Sequence, residues 1–334
     1  MNLIKPLIFT LLCTVSTSYA ACIHDTKLSG ADITSFEGSI HIKSGDTYLP
    51  PTMLNLEEQK IYDVQISHPS SQGKTIEYYT NAHLESYLGQ MQTPIESYDY
   101  ELQVIGHSIE GRDIPAIYPK VIDPNKQTII MTGRQHGDES TANWIIEGFL
   151  DEVFVSAQSH NWHERFQLVI YPIVNPDGAH ANSRYNANRR DLNRSWKHDP
   201  AQSRDEVQII HQHLDQLRLP MQNVVAFLDM HGSYWTLNGG DFIYHVDSRF
   251  RDLSFYNLQK AFIDELAVND QWNGRSNISN GDPGMIRIIM VKNGINALTH
   301  ETPRDIPENN REGRSVETLK SQGHALFQTI VNLY

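Results

Sequence analysis

Residues 128–140 read TIIMTGRQHGDES, an apolar run that changes abruptly into a polar segment. The run has the length and the β-branched content of a buried strand, and the polar segment opens a helix that carries Trp144 on its apolar stripe. A strand that ends in a helical turn projects residues i and i+3 to one side. We therefore predict that His136 and Glu139 face one point from a rigid position.

Around this segment, apolar runs of strand length alternate with helical periods, which is typical of an α/β domain. Several runs are apolar on both faces, as expected for a sheet that helices cover on both sides. Strands are predicted at residues 102–105, 114–118, 128–131, 168–174, 224–228, 242–245 and 295–298. Helices are predicted between them, at residues 143–155 among others, and near the C-terminus.

Residues 1–20 have the pattern of a secretory signal peptide, with Lys5 ahead of a short apolar core and Ala20 at the cleavage position. That core is too short to span ~30 Å of hydrocarbon as a helix, and no later run reaches ~20 apolar residues, so no membrane span is predicted. We expect a periplasmic or secreted bacterial protein. Cys22 follows the predicted cleavage site, but Tyr19 replaces the leucine of a lipoprotein signal, so lipid anchoring is not expected.

The rest of the chain divides into an N-terminal extension at residues 21–74 and a large domain at residues 75–334. In the extension, glycine and proline punctuate short alternating stretches such as Ile40-His41-Ile42 and residues 62–66, which favour a small β unit. The 334 residues carry a formal net charge of −13 without a long basic cluster, so nucleic acid is not an expected partner. No oligomeric state is indicated.

A third ligand is needed if His136 and Glu139 hold a metal ion, because a catalytic zinc ion takes three protein ligands and keeps one open position. Spacing alone does not identify the site, since His107 and Glu110 share the His-x-x-Glu pattern. The best candidate is His231, at the end of another apolar run. It reaches the same sheet edge as His136 if the two strands run parallel.

Three further motifs carry chemical groups. Asn175-Pro176-Asp177-Gly178 has the sequence of a type I turn. Residues 184–196, RYNANRRDLNRSW, place four arginines beside carboxamides, a donor array that suits an anionic group such as a carboxylate. Glu301 ends the last apolar run, where a carboxylate beside a metal ion could take a proton from water and deliver it to a leaving amine.

Taken in order, these motifs resemble the zinc metallocarboxypeptidases of the carboxypeptidase A type. The resemblance covers residues 75–334 and implies a mixed, twisted eight-stranded sheet between helices. It implies one Zn²⁺ per chain, held by His136, Glu139 and His231, with Asp191 orienting a metal histidine. The remaining implied roles are general base and acid for Glu301, oxyanion stabilisation for Arg184, and binding of the substrate's terminal carboxylate for Asn193 and Arg194.

The sequence departs from that family at two places. No tyrosine occurs between Tyr256 and Glu301, where the family has a mobile tyrosine over the substrate, so that cap is missing or replaced. Residues 279–287 replace the usual specificity segment, and counting back from Glu301 puts Arg287 near the floor of the side-chain pocket. This position predicts a preference for an acidic C-terminal residue. The alternative is a one-residue misalignment that leaves Arg287 in a surface ion pair.

The expected function is hydrolysis of the C-terminal amide bond of peptides, with cell-wall peptides as substrates because they lie in the predicted compartment. Two related activities stay open: a muropeptide γ-glutamyl amidase, and an N-acyl amino-acid deacylase of a related branch. A binding module without catalysis is the alternative from another class. The presence of Glu301 disfavours it, because a binder needs no base at that position.

Overall fold

The computed structural model describes residues 78–156, 161–197, 205–233, 241–270, 275–303 and 315–334, together with the backbone of four short strands between residues 33 and 53. The predicted signal peptide at residues 1–20, Cys22, and the alternating stretch at residues 62–66 lie outside the described residues.

A small antiparallel sheet forms before the large domain. Its strands are β1 (Ile33–Phe36), β2 (Ser39–Ser44), β3 (Thr47–Tyr48) and β4 (Thr52–Met53). The other three strands all pair with β2, which contains the alternating stretch Ile40-His41-Ile42. The boundaries of the extension and of the large domain stay a prediction.

The large domain is built on one mixed sheet of eight strands. These are β5 (Tyr100–His107), β6 (Asp113–Pro119), β7 (Gln127–Gly133), β8 (Phe166–Tyr171), β9 (Val224–Ser233), β10 (Phe242–His245), β11 (Ser276–Ile278) and β12 (Asn296–Pro303). Their order is β11-β10-β12-β9-β7-β8-β6-β5. The four central strands, β12, β9, β7 and β8, run parallel, and β10, β6 and β5 pair antiparallel with their inner neighbours. This confirms the predicted fold class, and each of the seven predicted strands overlaps an observed one. The strand predicted at residues 168–174 ends at Tyr171, and the one predicted at residues 295–298 begins at Asn296.

Seven described helices cover the sheet: α1 (Asn81–Ser97), α2 (Thr141–Phe154), α3 (Pro176–His180), α4 (Glu206–Leu217), α5 (Leu253–Asn269), α6 (Ile286–Lys292) and α7 (Val316–Leu333). Short 3-10 turns occur at Trp162–Glu164, Leu192–Arg194 and Met221–Asn223. None of the helices in the described part of the chain has the length and apolar character needed to cross a bilayer.

Two apolar cores lie on the two faces of the sheet, and alternation along β9 divides its side chains between them. Leu228 and Met230 belong to the core that contains α2 and α7, whereas Phe227 belongs to the core that contains residues of α4 and α6. Because successive strand residues point to opposite faces, Asp229 and His231 share the face of Phe227. The site described below therefore lies at the edge of the second core.

Backbone contact between α2 and α7 fixes the helix that follows the segment carrying His136 and Glu139. A Cβ atom on Gly148 would lie 2.1 Å from the carbonyl oxygen of Lys320, and one on Gly323 would lie 2.1 Å from that of Ile145. Only glycine permits so close an approach. The two helices are thus locked together, which holds the start of α2 in place behind Glu139.

Candidate metal centre

Parallel pairing of β7 and β9 brings the two halves of the site together. Gly133 lies opposite Met230, and the next residue, Arg134, donates its backbone N–H to the Met230 carbonyl at 3.3 Å. Arg134 adopts a left-handed backbone conformation, with φ of 59°, and there the chain leaves the strand. The segment that carries His136 and Glu139 consequently starts beside His231, as the sequence predicts for parallel strands.

The three predicted ligands converge on one point. Nδ1 of His136 lies 2.8 Å from one oxygen of Glu139, and Nδ1 of His231 lies 2.8 Å from the other. The two Nδ1 atoms are 3.2 Å apart, and all three side chains are buried. Two imidazole nitrogens and a carboxylate oxygen are the donor set that catalytic zinc prefers. Within the described ranges, no other group of three such side chains converges in this way.

The alternative His-x-x-Glu pair has no such geometry. His107 lies 2.9 Å from Asp113, and Glu110 lies 2.5 Å from the guanidinium of Arg112. His107, Glu110 and Asp113 are all exposed, at the turn between β5 and β6. The two His-x-x-Glu motifs thus have the same spacing, but only His136 and Glu139 are buried beside a third candidate ligand.

The electrostatics of the cluster suit a cation. Burial would raise the pKa of Glu139, but the charges and hydrogen bonds of the two histidines hold that pKa well below its usual range. Burial opposes protonation of His231, yet Asp229 and Glu139 raise its pKa well above the ordinary value. The cluster therefore combines an ionised carboxylate with two imidazoles that tend to bind protons. A divalent cation can take the place of those protons.

A carboxylate stands behind each histidine. Nε2 of His136 lies 3.1 Å from Asp191, and Nε2 of His231 lies 3.1 Å from Asp229. Asp191 was predicted, whereas sequence reasoning missed Asp229. The signal was available, because Asp229 precedes His231 by two residues on one strand and therefore shares its face. Such partners commonly fix the orientation of metal-binding histidines.

Arg184 reaches the edge of this cluster. Its Nη2 donates to Asp191 at 2.8 Å and its Nε donates to the same oxygen at 3.2 Å. Its Nη1 lies 3.9 Å from Glu139, and the side chain is 37% exposed. A guanidinium that is anchored on one side and open to solvent on the other can meet an anionic oxygen beside the metal ligands.

Asn193 and Arg194 lie in the 3-10 turn Leu192–Arg194 on the same side of the sheet. Asn193 is buried, and its amide nitrogen lies 3.3 Å from Nε2 of His231. Arg194 is exposed and donates to the carbonyl of Asn193 at 3.0 Å. The structure thus places Asn193 beside His231, and Arg194 follows Asn193 in the same turn.

Glu301 lies directly opposite His231 in the parallel pair formed by β12 and β9. Residues that face each other in a ladder point to the same side, so the Glu301 carboxyl shares the face of the metal ligands. Burial and the nearby charge of Glu139 raise the pKa of Glu301 to about 7, while the charges of the two histidines act in the opposite direction. A carboxyl with such a pKa can both take and give a proton near neutral pH.

Arg287 is fully buried at the start of α6. Its Nη2 donates to the carbonyl of Ser279 at 3.0 Å, and its Nε and Nη1 have no partner. Burial lowers its pKa to about 10, against the charges of Asp229, Tyr244 and Glu301, so it stays charged at neutral pH. The alternative of a surface ion pair is therefore wrong.

Tyr244, which sequence reasoning did not single out, lies beside Arg287. The centre of its ring is 6.0 Å from the Arg287 guanidinium, and it lies opposite Thr299 in the pair of β10 and β12. Because Thr299 precedes Glu301 by two residues, Tyr244 shares the face of Glu301.

A family model described as zinc carboxypeptidase matches residues 84–245 of this chain. The matched range includes His136, Glu139 and His231, together with Arg184 and residues 191–194. Glu301 and Arg287 lie beyond the matched range. The register of β12 and β9 places Glu301 relative to the metal ligands, and α6 places Arg287.

The chain is also similar to proteins named cytosolic carboxypeptidases. It is 27% identical over 238 residues to cytosolic carboxypeptidase 3 of Mus musculus, which covers 67% of this chain and 23% of that protein. It is 27% identical over 277 residues to cytosolic carboxypeptidase 2 of Danio rerio, which covers 76% of this chain and 37% of that protein. The chain thus spans between 23% and 37% of the length of these relatives.

Solved structures share the fold. A metallo-carboxypeptidase from Pseudomonas aeruginosa, in complex with (2-guanidinoethylmercapto)succinic acid, superposes with a TM-score of 0.65 at 24% identity, over 77% of this chain and 70% of that one. A metallo-carboxypeptidase from Burkholderia cenocepacia gives a TM-score of 0.64 at 23% identity over the same shares.

Proposed function

This chain belongs to the zinc carboxypeptidase family, and on that basis we propose that it is a zinc-dependent metallocarboxypeptidase that hydrolyses the C-terminal amide bond of peptides. The observation that carries the proposal is the convergence of His136, Glu139 and His231, with Glu301 opposite His231 on the same face. One zinc ion per chain fits this donor set.

A zinc ion held by these three residues would polarise the scissile carbonyl and lower the pKa of a water molecule. Glu301 would take a proton from a water molecule at this position as the water oxygen bonds to the carbonyl carbon. The same carboxyl would then give the proton to the amide nitrogen as the carbon–nitrogen bond breaks, which releases a free amine and a carboxylic acid that then ionises.

Binding groups around the base define which bond is cut. Arg184 stabilises the anionic oxygen that forms on the carbonyl carbon, since its Nη1 lies beside Glu139. Asn193 and Arg194 hold the terminal carboxylate of the substrate, next to His231. When the terminal carboxylate of the substrate binds there, the amide bond next to the metal ligands is the one that precedes the last residue of the substrate. Single residues are then removed from the C-terminus.

Arg287 supports a preference for an acidic C-terminal residue. Its charge is buried without a carboxylate partner among the described residues, and two of its donors are unsatisfied. A buried donor without a partner is costly, so a substrate carboxylate that pairs with it gains both charge attraction and hydrogen bonds. The expected C-terminal residue of the substrate is therefore glutamate or another residue with a second carboxylate.

Export to the periplasm or the medium, directed by residues 1–20, belongs to the same proposal, and cell-wall peptides with extra carboxylates are then substrates within reach. Mass spectrometry of the N-terminus of the protein recovered from the periplasm tests the export, with Ala21 as the expected first residue. Retention of residues 1–20 in a cytoplasmic protein would contradict it.

The activity is tested with purified, zinc-loaded protein and a peptide that ends in glutamate, together with the same peptide as its C-terminal amide. We expect loss of one residue from the free acid only, and no loss after chelation. Murein fragments treated in parallel distinguish this outcome from cleavage at a γ-glutamyl bond, because the mass differences are not the same. Cleavage inside the peptide, or equal cleavage of the amide, would refute the proposal.

A further inference from the structure

The tautomer of His231 decides whether it can bind a cation. Its Nδ1 faces Glu139, where the other metal ligands converge, so Nδ1 must carry the lone pair and Nε2 must carry the proton. Three polar atoms lie near that Nε2: Asp229 Oδ2 at 3.1 Å, Asn193 Nδ2 at 3.3 Å and Gln135 Nε2 at 3.4 Å. The protonated Nε2 needs an acceptor among them.

Gln135 does not supply that acceptor. Its Oε1 accepts a hydrogen bond from Trp196 Nε1 at 2.6 Å, and an indole nitrogen can only donate. The Gln135 amide is thereby oriented with its NH₂ group toward His231 and Asp229, to which it donates at 2.5 Å. Asn193 has its amide nitrogen 3.3 Å from Nε2 of His231, so Asp229 Oδ2, at 3.1 Å, is the acceptor nearest to that proton.

Asp229 is itself built into the sheet by donors on both sides. Thr132 on β7 and Thr299 on β12 lie directly opposite it in the parallel ladders. Their hydroxyl oxygens are 3.0 Å and 3.5 Å from its carboxylate. Asp229 has no exposed surface, and each of its polar neighbours can donate. Thr132 and Gln135 both donate to Oδ1, so the carboxylate stays an acceptor. Its Oδ2 lies 3.1 Å from Nε2 of His231, closer than the Thr299 hydroxyl at 3.5 Å.

We propose that Asp229 is the positioning residue of His231: its Oδ2 accepts the Nε2–H and thereby holds Nδ1, with its lone pair, toward the metal ion. The inference rests on the proposed function, because it gives His231 a metal ion to bind. Asp191 stands in the same relation to Nε2 of His136, so each metal histidine has its own carboxylate. Thr132, Asp229 and Thr299 thus form a row of polar side chains across the three adjacent strands β7, β9 and β12.

The test compares zinc release from the wild type and from Asp229→Asn. The asparagine keeps the shape, but its amide can donate to Nε2 and so favour the tautomer with the proton on Nδ1. We expect zinc to dissociate to a chelator roughly 10–100-fold faster, with kcat lowered and KM nearly unchanged, since the substrate-binding residues are untouched. Thr299→Val, which removes one donor to Asp229, should give a smaller change in the same direction.

Asp270→Asn is the matched control, because Asp270 is also a buried aspartate and accepts from Gln322 at 2.8 Å without contact to a metal histidine. It should lower the melting temperature and leave zinc release unchanged. If Asp229→Asn does not fold, ¹⁵N NMR of the zinc-loaded wild type decides, with a protonated Nε2 on His231 expected.

A proton on Nδ1 of His231, or wild-type zinc release from folded Asp229→Asn, would overturn the inference while leaving the metallopeptidase intact. A wild type that binds no zinc would instead refute the proposed function, and this inference with it.

Discussion

Replacing Arg287 by methionine tests whether the buried guanidinium selects acidic C-terminal residues. Methionine is unbranched and of similar length, so it fills the space at the start of α6 while removing the charge. The change also removes the hydrogen bond to the Ser279 carbonyl, but that loss acts equally on every substrate. The ratio between substrates therefore isolates the contribution of the guanidinium to specificity.

The magnitude follows from the two donors that lack partners. Nε and Nη1 of Arg287 can each form a charge-assisted hydrogen bond with a substrate carboxylate. Hydrogen bonds to charged groups contribute about 1.5–3 kcal/mol each, so two of them contribute at least about 3 kcal/mol, or roughly 150-fold in kcat/KM. The pKa of about 10 keeps Arg287 charged across the neutral range, so this preference should not vary between pH 6 and pH 8.

The assay measures kcat/KM for three peptides that differ only in a C-terminal Glu, Gln or Leu. The wild type should prefer Glu, and Arg287→Met should reduce the Glu-to-Leu ratio by roughly 150-fold. Arg251→Met is the matched control, because exposed Arg251 donates to the Val291 and Lys292 carbonyls at the other end of α6. A wild type that prefers Leu, or a folded Arg287→Met with an unchanged ratio, would refute the assignment.

Two further predictions concern the base and a buried ion pair. Glu301→Gln should lower kcat by about 10²–10⁴ while zinc content stays at the wild-type level, because the amide cannot accept a proton; an unchanged kcat in a zinc-loaded variant would exclude Glu301 as the base. Although burial raises the pKa of Glu147, hydrogen bonds from His83 and Lys320 lower it overall. A lowered carboxyl pKa stabilises the fold above the unfolded pKa of about 4.3, and this stability is lost as the pH falls through the folded pKa. Glu147→Gln should therefore lower the melting temperature at pH 7 much more than at pH 3, and an equal difference at both pH values would contradict this.

The central strands were predictable because their runs are apolar and buried on both faces, as at residues 128–131. The ends of these strands were harder to predict. The run at residues 224–228 ends where Asp229 introduces polarity, yet β9 continues to Ser233 in its pairing with β12, and Asp229 and His231 are partners of each other. The three-residue strand β11 was missed, since Ser276 and Asn277 give it no apolar run.

The metal ligands were predictable because local spacing and strand ends place them, whereas their surroundings depend on register. The sequence does not specify that Glu301 lies opposite His231, or that Thr132 and Thr299 flank Asp229; those relations arise from how three strands align. Arg287 could equally have been a surface residue from its sequence alone. Its burial follows from the packing of α6 against the second core, to which Ile286 and Ile288 belong.

Elemental analysis of the purified protein is the most direct test of the metal centre, carried out on the wild type and on His231→Ala. The account predicts about one zinc per folded wild-type chain. For the variant it predicts near-complete loss, because only His136 and Glu139 remain as ligands. A wild type without stoichiometric zinc, or a folded variant that retains it, would contradict the metal centre on which the proposed chemistry depends.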